Sequence, residues 1–265
     1  IAMTSSFHGR TIGALSVGSN KKYKTDIGPV PGKVKFCKFN DVSHLKKLVN
    51  KKTIAIIIEF IQGDGGINIC SKTFAKAIKD ICKNKKILLI GDEIQGGIGR
   101  TGKIFAYKHY GVNPDIITSA KGLGSGIPIG ATIVKKYISK IISTGFHGST
   151  FGGGMLQTRV SYNVLKSINT KSFLNKVLIN GKLLSSLLKK MHDNHKDKIV
   201  DTRCLGLMAG IEFKNNEIAL KTYNKMAKNR LISTLIQGKI IRLTPPLIVS
   251  KNEINKAIQI VAKSL

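Results

Sequence analysis

The chain has 265 residues, 42% of them apolar, which suits one large domain or a large and a small one. It carries 44 Lys and Arg against 14 Asp and Glu, a net charge of +30, but aromatic residues make up only 6% and the lysines are spread over the whole length. That pattern argues against a specific nucleic-acid surface and leaves nonspecific attraction to polyanions at low salt. No apolar run approaches the roughly 18 residues of a membrane span, and no secretory leader is visible. The first residue is Ile1 rather than Met, so the chain is expected to lack its natural N-terminus. Cys37, Cys70, Cys82 and Cys204 show no C-x-x-C or metal-ligand spacing, and they read as free thiols of a reducing, cytoplasmic environment with no metal site.

The first marked stretch is Ser5-Ser6-Phe7-His8-Gly9-Arg10-Thr11. A flat ring at Phe7 can cover a flat π-system, and the Arg10 guanidinium fork matches a carboxylate; His8 reads as structural. A connection follows, in which Asn40-Asp41 reads as the N-cap of a short helix. Ile54 to Ile58 reads as a strand buried on both faces. It ends in Glu59-Phe60-Ile61-Gln62-Gly63-Asp64-Gly65-Gly66. From Ser71 to Lys83, Phe74, Ala77, Ile78, Ile81 and Cys82 recur at helical spacing. Ile87 to Ile90 is a second apolar run and reads as another strand buried on both faces, so this region is a βαβ unit with a parallel sheet.

Asp92 and Glu93 stand at the end of that strand, where ligands bind in open α/β sheets. Ile116-Ile117 reads as the next strand and leads into Ser119-Ala120-Lys121-Gly122-Leu123-Gly124. Lys121 is the only Lys or Arg between Lys108 and Lys135, in a chain otherwise crowded with them. Ile133-Val134 resumes a strand, and Phe146-His147-Gly148-Ser149-Thr150-Phe151-Gly152-Gly153 forms a Gly-rich turn. Residues 156–195 read as helices, with His192 and His195 in a solvated turn at their end. A smaller C-terminal domain carries residues 202–212 and Ile240-Ile241-Arg242-Leu243-Thr244-Pro245-Pro246-Leu247, and Ser250 with Glu253 forms a capping box before a last helix.

The chemistry these residues allow is specific. A lysine amine forms a Schiff base with an aldehyde cofactor, and an aspartate at a strand end keeps a pyridine nitrogen protonated, which makes the ring an electron sink. Either residue alone is more often a cap or a solvated lysine. Together Asp92 and Lys121 are the pair that pyridoxal phosphate requires.

Asp92-Glu93-Ile94-Gln95, Gly99-Arg100-Thr101-Gly102, His109-Tyr110-Gly111-Val112, Ser119 to Gly124 and Pro128-Ile129-Gly130 occur in one dense, ordered series. This series resembles the core of the class III pyridoxal-phosphate aminotransferases, and most closely their acetylornithine-type branch. The resemblance implies fold type I: a mostly parallel α/β large domain, here residues 1–165, and linking helices with a smaller α+β domain over 166–265. It implies a cofactor held by Phe7, Asp92, Glu93, Ile94, Gln95, Lys121 and Thr150, with Lys121 and Asp92 catalytic. Arg10, Ser149, Arg242 and Asp64 would face substrate, and Thr150 would reach the phosphate of a second subunit in a homodimer.

The implied reaction moves an amino group from N-acetylornithine to 2-oxoglutarate, in arginine biosynthesis. Ornithine-type and 4-aminobutyrate-type enzymes, and a non-catalytic remnant, remain as alternatives. The remnant arises because the family's Ser-Gly-x-Glu-Ala-x-Glu phosphate turn has no counterpart in this sequence. Asp64 stands where the family has glutamate, one methylene longer, which leaves direct pairing with the substrate arginine open. Phe60 and Gly154-Met155 replace prolines of the family pattern. The first implies a local backbone change and the second a looser helix start.

Overall fold

The computed structural model describes residues 1–265. In chain order, β1 (Ala2–Met3), α1 (Ile12–Val17), β2 (Phe36–Cys37) and α2 (Val42–Leu48) lead into β3 (Ala55–Ile58). A hairpin of β4 (Ile61–Gln62) and β5 (Asn68–Ile69) precedes α3 (Lys72–Lys85), β6 (Leu88–Asp92), β7 (Ile116–Ser119), β8 (Ala131–Val134) and α4 (Lys136–Ser139). Two long helices, α5 (Met155–Ile168) and α6 (Lys171–Asn194), lead to β9 (Ile199–Leu205), β10 (Met208–Phe213), α7 (Asn216–Lys228), β11 (Thr234–Ile236), β12 (Ile240–Leu243) and α8 (Lys251–Ser264).

The first sheet has the order β3-β6-β7-β8. β3, β6 and β7 run parallel, with Ile58 opposite Gly91 and Asp92 opposite Thr118; β8 returns antiparallel. The backbone of Ile1 extends this sheet past β3: its N–H group donates to Ala55 O at 2.8 Å and its carbonyl accepts from Ile57 N at 2.9 Å. The second sheet, β11-β12-β10-β9, is antiparallel throughout. The chain therefore has the fold type I arrangement of a larger unit built on a mostly parallel sheet and a smaller antiparallel α+β unit.

Each sheet has its own core. Ile56, Ile58 and Leu89 pack with Phe74, Ile78 and Cys82 of α3 in the first. Leu184, Leu188, Ile211, Phe213, Ile254 and Ile258 pack in the second. Local signals in the sequence account for most element ends. Ser71 Oγ accepts from Phe74 N at the start of α3, Asp41 accepts from His44 N, and Ser250 with Glu253 makes the complete capping box. α5 has Gly154 as its N-cap, with no side-chain cap hydrogen bond.

Three expectations need correction. The strands are not buried on both faces: Ile56, Ile58 and Leu89 are buried, whereas Ala55, Ile57, Leu88 and Ile90 are half-buried, so one face of the sheet is only partly covered. Ile54 lies before the strand and is 81% exposed. His192 sits in the last turn of α6, where a basic side chain faces the carbonyl end of the helix, rather than in a turn beyond it. At position 60, the side chain that replaces proline is consumed by packing. Phe60 is 1% exposed and stacks on Tyr110 at 5.4 Å with an interplanar angle of 26°.

Candidate active site

Parallel neighbours bring three strand ends together. Glu59 follows β3, Asp92 closes β6, and Lys121 lies two residues beyond Ser119 at the end of β7. With strands about 4.8 Å apart, these three positions share one edge of the sheet. Asp92 is buried, and both of its oxygens are engaged: Oδ1 accepts from Ile94 N at 3.0 Å, and Oδ2 lies 2.6 Å from His8 Nδ1. Against a carboxylate, Nδ1 is the donor. His8 Nε2 is buried with no partner.

Glu59 is buried beside Asp92, and its Oε2 accepts from Phe7 N at 3.2 Å. Burial, reinforced by the Asp92 charge, pushes its carboxyl up to about 8. Glu59 therefore holds a proton at neutral pH and fixes the backbone under Phe7. The Phe7 ring meets Tyr23 edge-on at 6.0 Å, and the Arg10 guanidinium lies 3.8 Å from the centre of the Tyr23 ring.

Glu93 faces away from this edge. It is fully buried and accepts from Ala106 N at 2.6 Å and Tyr107 N at 2.8 Å, so it caps the short helical turn Ala106–His109. Burial pushes its carboxyl up to about 7. Ile94 contributes the backbone N–H that steadies Asp92. The Gln95 side chain lies against Gly63; a Cβ at that glycine would fall 1.4 Å from Gln95 Oε1, so only glycine allows this approach.

A cavity of about 670 Å³ opens beside Phe7 and is lined by Ser5, Tyr23, Asp64, Gln237 and Arg242 among others. Arg242 comes from β12 of the second sheet, and its Nη1 donates to Asp64 Oδ1 at 2.7 Å; aspartate thus reaches directly despite its missing methylene. Gln237 Nε2 donates to Asp64 O at 3.1 Å. Arg100 secures this side of the cavity by donating to the carbonyls of Leu207 and Pro245, which brackets the turn after Arg242. Next to it, Gly206 (φ +60°) packs on the backbone of Thr101 so closely that a Cβ would approach within 2.5 Å.

The structure brings together Phe7, Asp64 and Arg242 around the cavity, and Asp92, Ile94 and Gln95 at the strand end. Lys121 is exposed, with φ +47°, in the turn Lys121–Leu123. Ser149 and Thr150 are not brought into the site of a single chain; they lie in an exposed stretch with Phe146 and Phe151, 72% and 85% exposed. Arg10 reaches Tyr23 rather than lining the cavity.

Sequence reasoning missed His8, Tyr23, Arg100 and Gln237. His8 and Arg100 stand inside motifs that were read, but their partners lie 84 and more than 100 residues away. The donor set fits pyridoxal phosphate: a buried, hydrogen-bonded carboxylate beside a strand that delivers a free lysine, with an aromatic ring on the adjacent segment.

The family model for class-III aminotransferases matches residues 1–265. The chain is 40% identical over 258 residues to the acetylornithine aminotransferase of Methanocaldococcus jannaschii, covering 97% of this chain and 64% of that protein. It is 39% identical to ornithine aminotransferase 1 of Staphylococcus saprophyticus, covering 100% of this chain and 66% of that one. Among solved structures, the ornithine aminotransferase of Toxoplasma gondii superposes with a TM-score of 0.94 at 28% identity, over 99% of this chain and 63% of its own. The chain thus spans a little under two thirds of the length of these relatives. With the motifs, the fold and the whole-length match in agreement, the chain belongs to the class-III aminotransferases.

Proposed function

We propose that this chain is the catalytic portion of a pyridoxal-phosphate aminotransferase of the acetylornithine type, moving the amino group of N-acetylornithine to 2-oxoglutarate in a step of arginine synthesis. The observation that carries this reading is the buried Asp92 carboxylate, held by His8 and the Ile94 N–H, one strand away from the turn that presents Lys121. Relatives named acetylornithine aminotransferase at 38% to 40% identity support the substrate.

Phe7, Asp92, Gln95, Lys121 and Thr150 would hold the cofactor, which when bound supplies an electron sink for the carbon that carries the reacting amine. Lys121 would hold the cofactor through its amine and, when free, would take and return the proton of the substrate carbon that carries the reacting amine. Asp92 would face a ring nitrogen of the cofactor and keep it protonated, and His8 orients that carboxylate. Glu93 and Ile94 contribute through the backbone they fix. Phe7 covers one face of the site. Arg242 would receive the carboxylate of the second substrate, and Asp64 occupies that arginine in the meantime; Arg10, which rests on the cavity-lining Tyr23, would turn from that ring to read the other carboxylate of a dicarboxylic acid.

Ser149 and Thr150, exposed beside Phe146, Phe151, Met155 and Leu156, fit a site completed by a second copy of the chain, so the working form is a homodimer. A second reading, ornithine as donor, is favoured by the ornithine aminotransferases of Staphylococcus saprophyticus and Toxoplasma gondii among the similar proteins. Glutamate formation from 2-oxoglutarate with N-acetylornithine, ornithine or 4-aminobutyrate separates these. A highest kcat/KM with N-acetylornithine is expected. Preference for ornithine selects the second reading, and no turnover with any donor rejects both.

A further inference from the structure

A second cavity, of about 370 Å³, lies on the small antiparallel sheet, between the segment before β11, the turn after β12, and helices α6 and α8. That volume falls in the range of small-molecule sites. Leu184, Pro246, Ile254 and Ile258 give it an apolar lining. Two of its lining residues carry a buried polar atom with no hydrogen-bond partner, Ser233 Oγ and Arg242 Nε. Native structures rarely leave such groups unpaired, because each costs the desolvation it suffers. At the mouth, Ile232 is 91% exposed, a large apolar side chain with nothing on it. Glu253 also lines this cavity, but its carboxylate is already engaged by Ser250 N and Oγ, both at 2.7 Å, and those bonds hold it below the usual carboxylate range.

We infer that this cavity is a second ligand site, for a small neutral molecule with a branched apolar body and a carbonyl acceptor. The apolar walls take the body. The Ser233 hydroxyl, turning about its Cα–Cβ bond, donates to the carbonyl, and the ionised Glu253 disfavours a carboxylate in the same space. Arg242 is the shared wall, lining both this cavity and the larger one in which its Nη1 meets Asp64. A ligand here braces Arg242 from behind and so regulates the substrate side. This regulatory consequence rests on the proposed function, whereas binding itself does not.

The chain contains no Trp, so Ile232→Trp installs a single tryptophan at the mouth of the cavity, excited apart from the six tyrosines at the red edge of its absorption. N-acetyl-leucinamide is the probe, with N-acetyl-leucine as its charged counterpart. A saturable emission change with the amide in the millimolar range, and one at least several-fold weaker with the acid, is expected. Ser233→Ala in that background should weaken the amide about tenfold, the value of one lost hydrogen bond. Ala257→Phe, which fills the cavity from half-buried α8, should abolish the response. No saturable response in Ile232→Trp, or a response unchanged by both second substitutions, overturns the site. Emission reports binding without turnover, so a protein that binds the amide but transfers no amino group would reject the proposed function and retain this one.

Discussion

His8 Nδ1 and Asp92 Oδ2 stand 2.6 Å apart with side chains 2% and 5% exposed, a pairing between the segment joining β1 to α1 and the end of β6. Removing His8 leaves a buried carboxylate short of its donor. His8→Ala is expected to lower stability by roughly 1.5–3 kcal/mol, the worth of a hydrogen bond to a charged group. It should also weaken pyridoxal phosphate retention measured by absorbance after dialysis. His8→Asn, which keeps a donor near Asp92, should recover part of both. Equal cofactor retention in His8→Ala and the parent would show that His8 is packing alone.

Arg242 and Asp64 bind each other across the cavity, and any carboxylate that uses Arg242 must displace Asp64. The Asp64 side chain is 39% exposed, so its hold is worth little, about 1 kcal/mol at most. Asp64→Ala should therefore raise the affinity for glutarate by up to about fivefold in calorimetric titration. Arg242→Gln should remove most of it. An affinity that does not move in Asp64→Ala means the pair does not compete with the ligand.

Glu59 gives a pH signature. Its folded pKa, about 8, lies above the unfolded value near 4.5, so the folded state binds more protons between these two values. Stability contributed by this group is then complete at low pH and is lost as pH rises through about 8. Buried Glu93, at about 7, acts in the same direction. The melting temperature should fall between pH 5.5 and 8.5, a window chosen around these two values, and Glu59→Gln should flatten the fall while keeping an acceptor for Phe7 N. An unchanged slope in Glu59→Gln would assign the pH dependence elsewhere.

Gly206 tests how the two sheets are joined. Its φ of +60° and the Thr101 backbone 2.5 Å from any added Cβ leave no room for alanine. Gly206→Ala is expected to cost about 1–3 kcal/mol or more. Gly111→Ala has a similar φ of +61° but nothing within 4 Å, so it carries only the smaller cost of a left-handed alanine, about 1 kcal/mol. Urea midpoints of the two variants should differ in that order; equal midpoints would mean the Gly206 contact relaxes freely.

Much of this was legible in the sequence, because local signals decided it. Asp92 at a strand end, Lys121 cleared of other cations, the Asp41 and Ser250 caps and the apolar stripe of α3 all follow from neighbours within a few residues. What escaped depends on partners far along the chain. His8 looks incidental until β6 brings Asp92 beside it, and Arg100 is one arginine among many until Pro245 O meets it. The reach of Asp64 to Arg242 could not be read from a side-chain length, since it depends on where β12 sits against the hairpin of β4 and β5. Equally, Glu93 stood beside Asp92 in the motif, yet strand alternation turned it toward Ala106 and Tyr107.

The central claim is that Lys121, among the chain's many lysines, is the one that carries the cofactor. Borohydride reduction of the protein after addition of pyridoxal phosphate, followed by peptide mass spectrometry, reads this residue by residue. A reduced phosphopyridoxyl group confined to Lys121, and lost when N-acetylornithine is added before the reductant, is the predicted result. Labelling scattered over many lysines, with Lys121 no more modified than the rest, would contradict it.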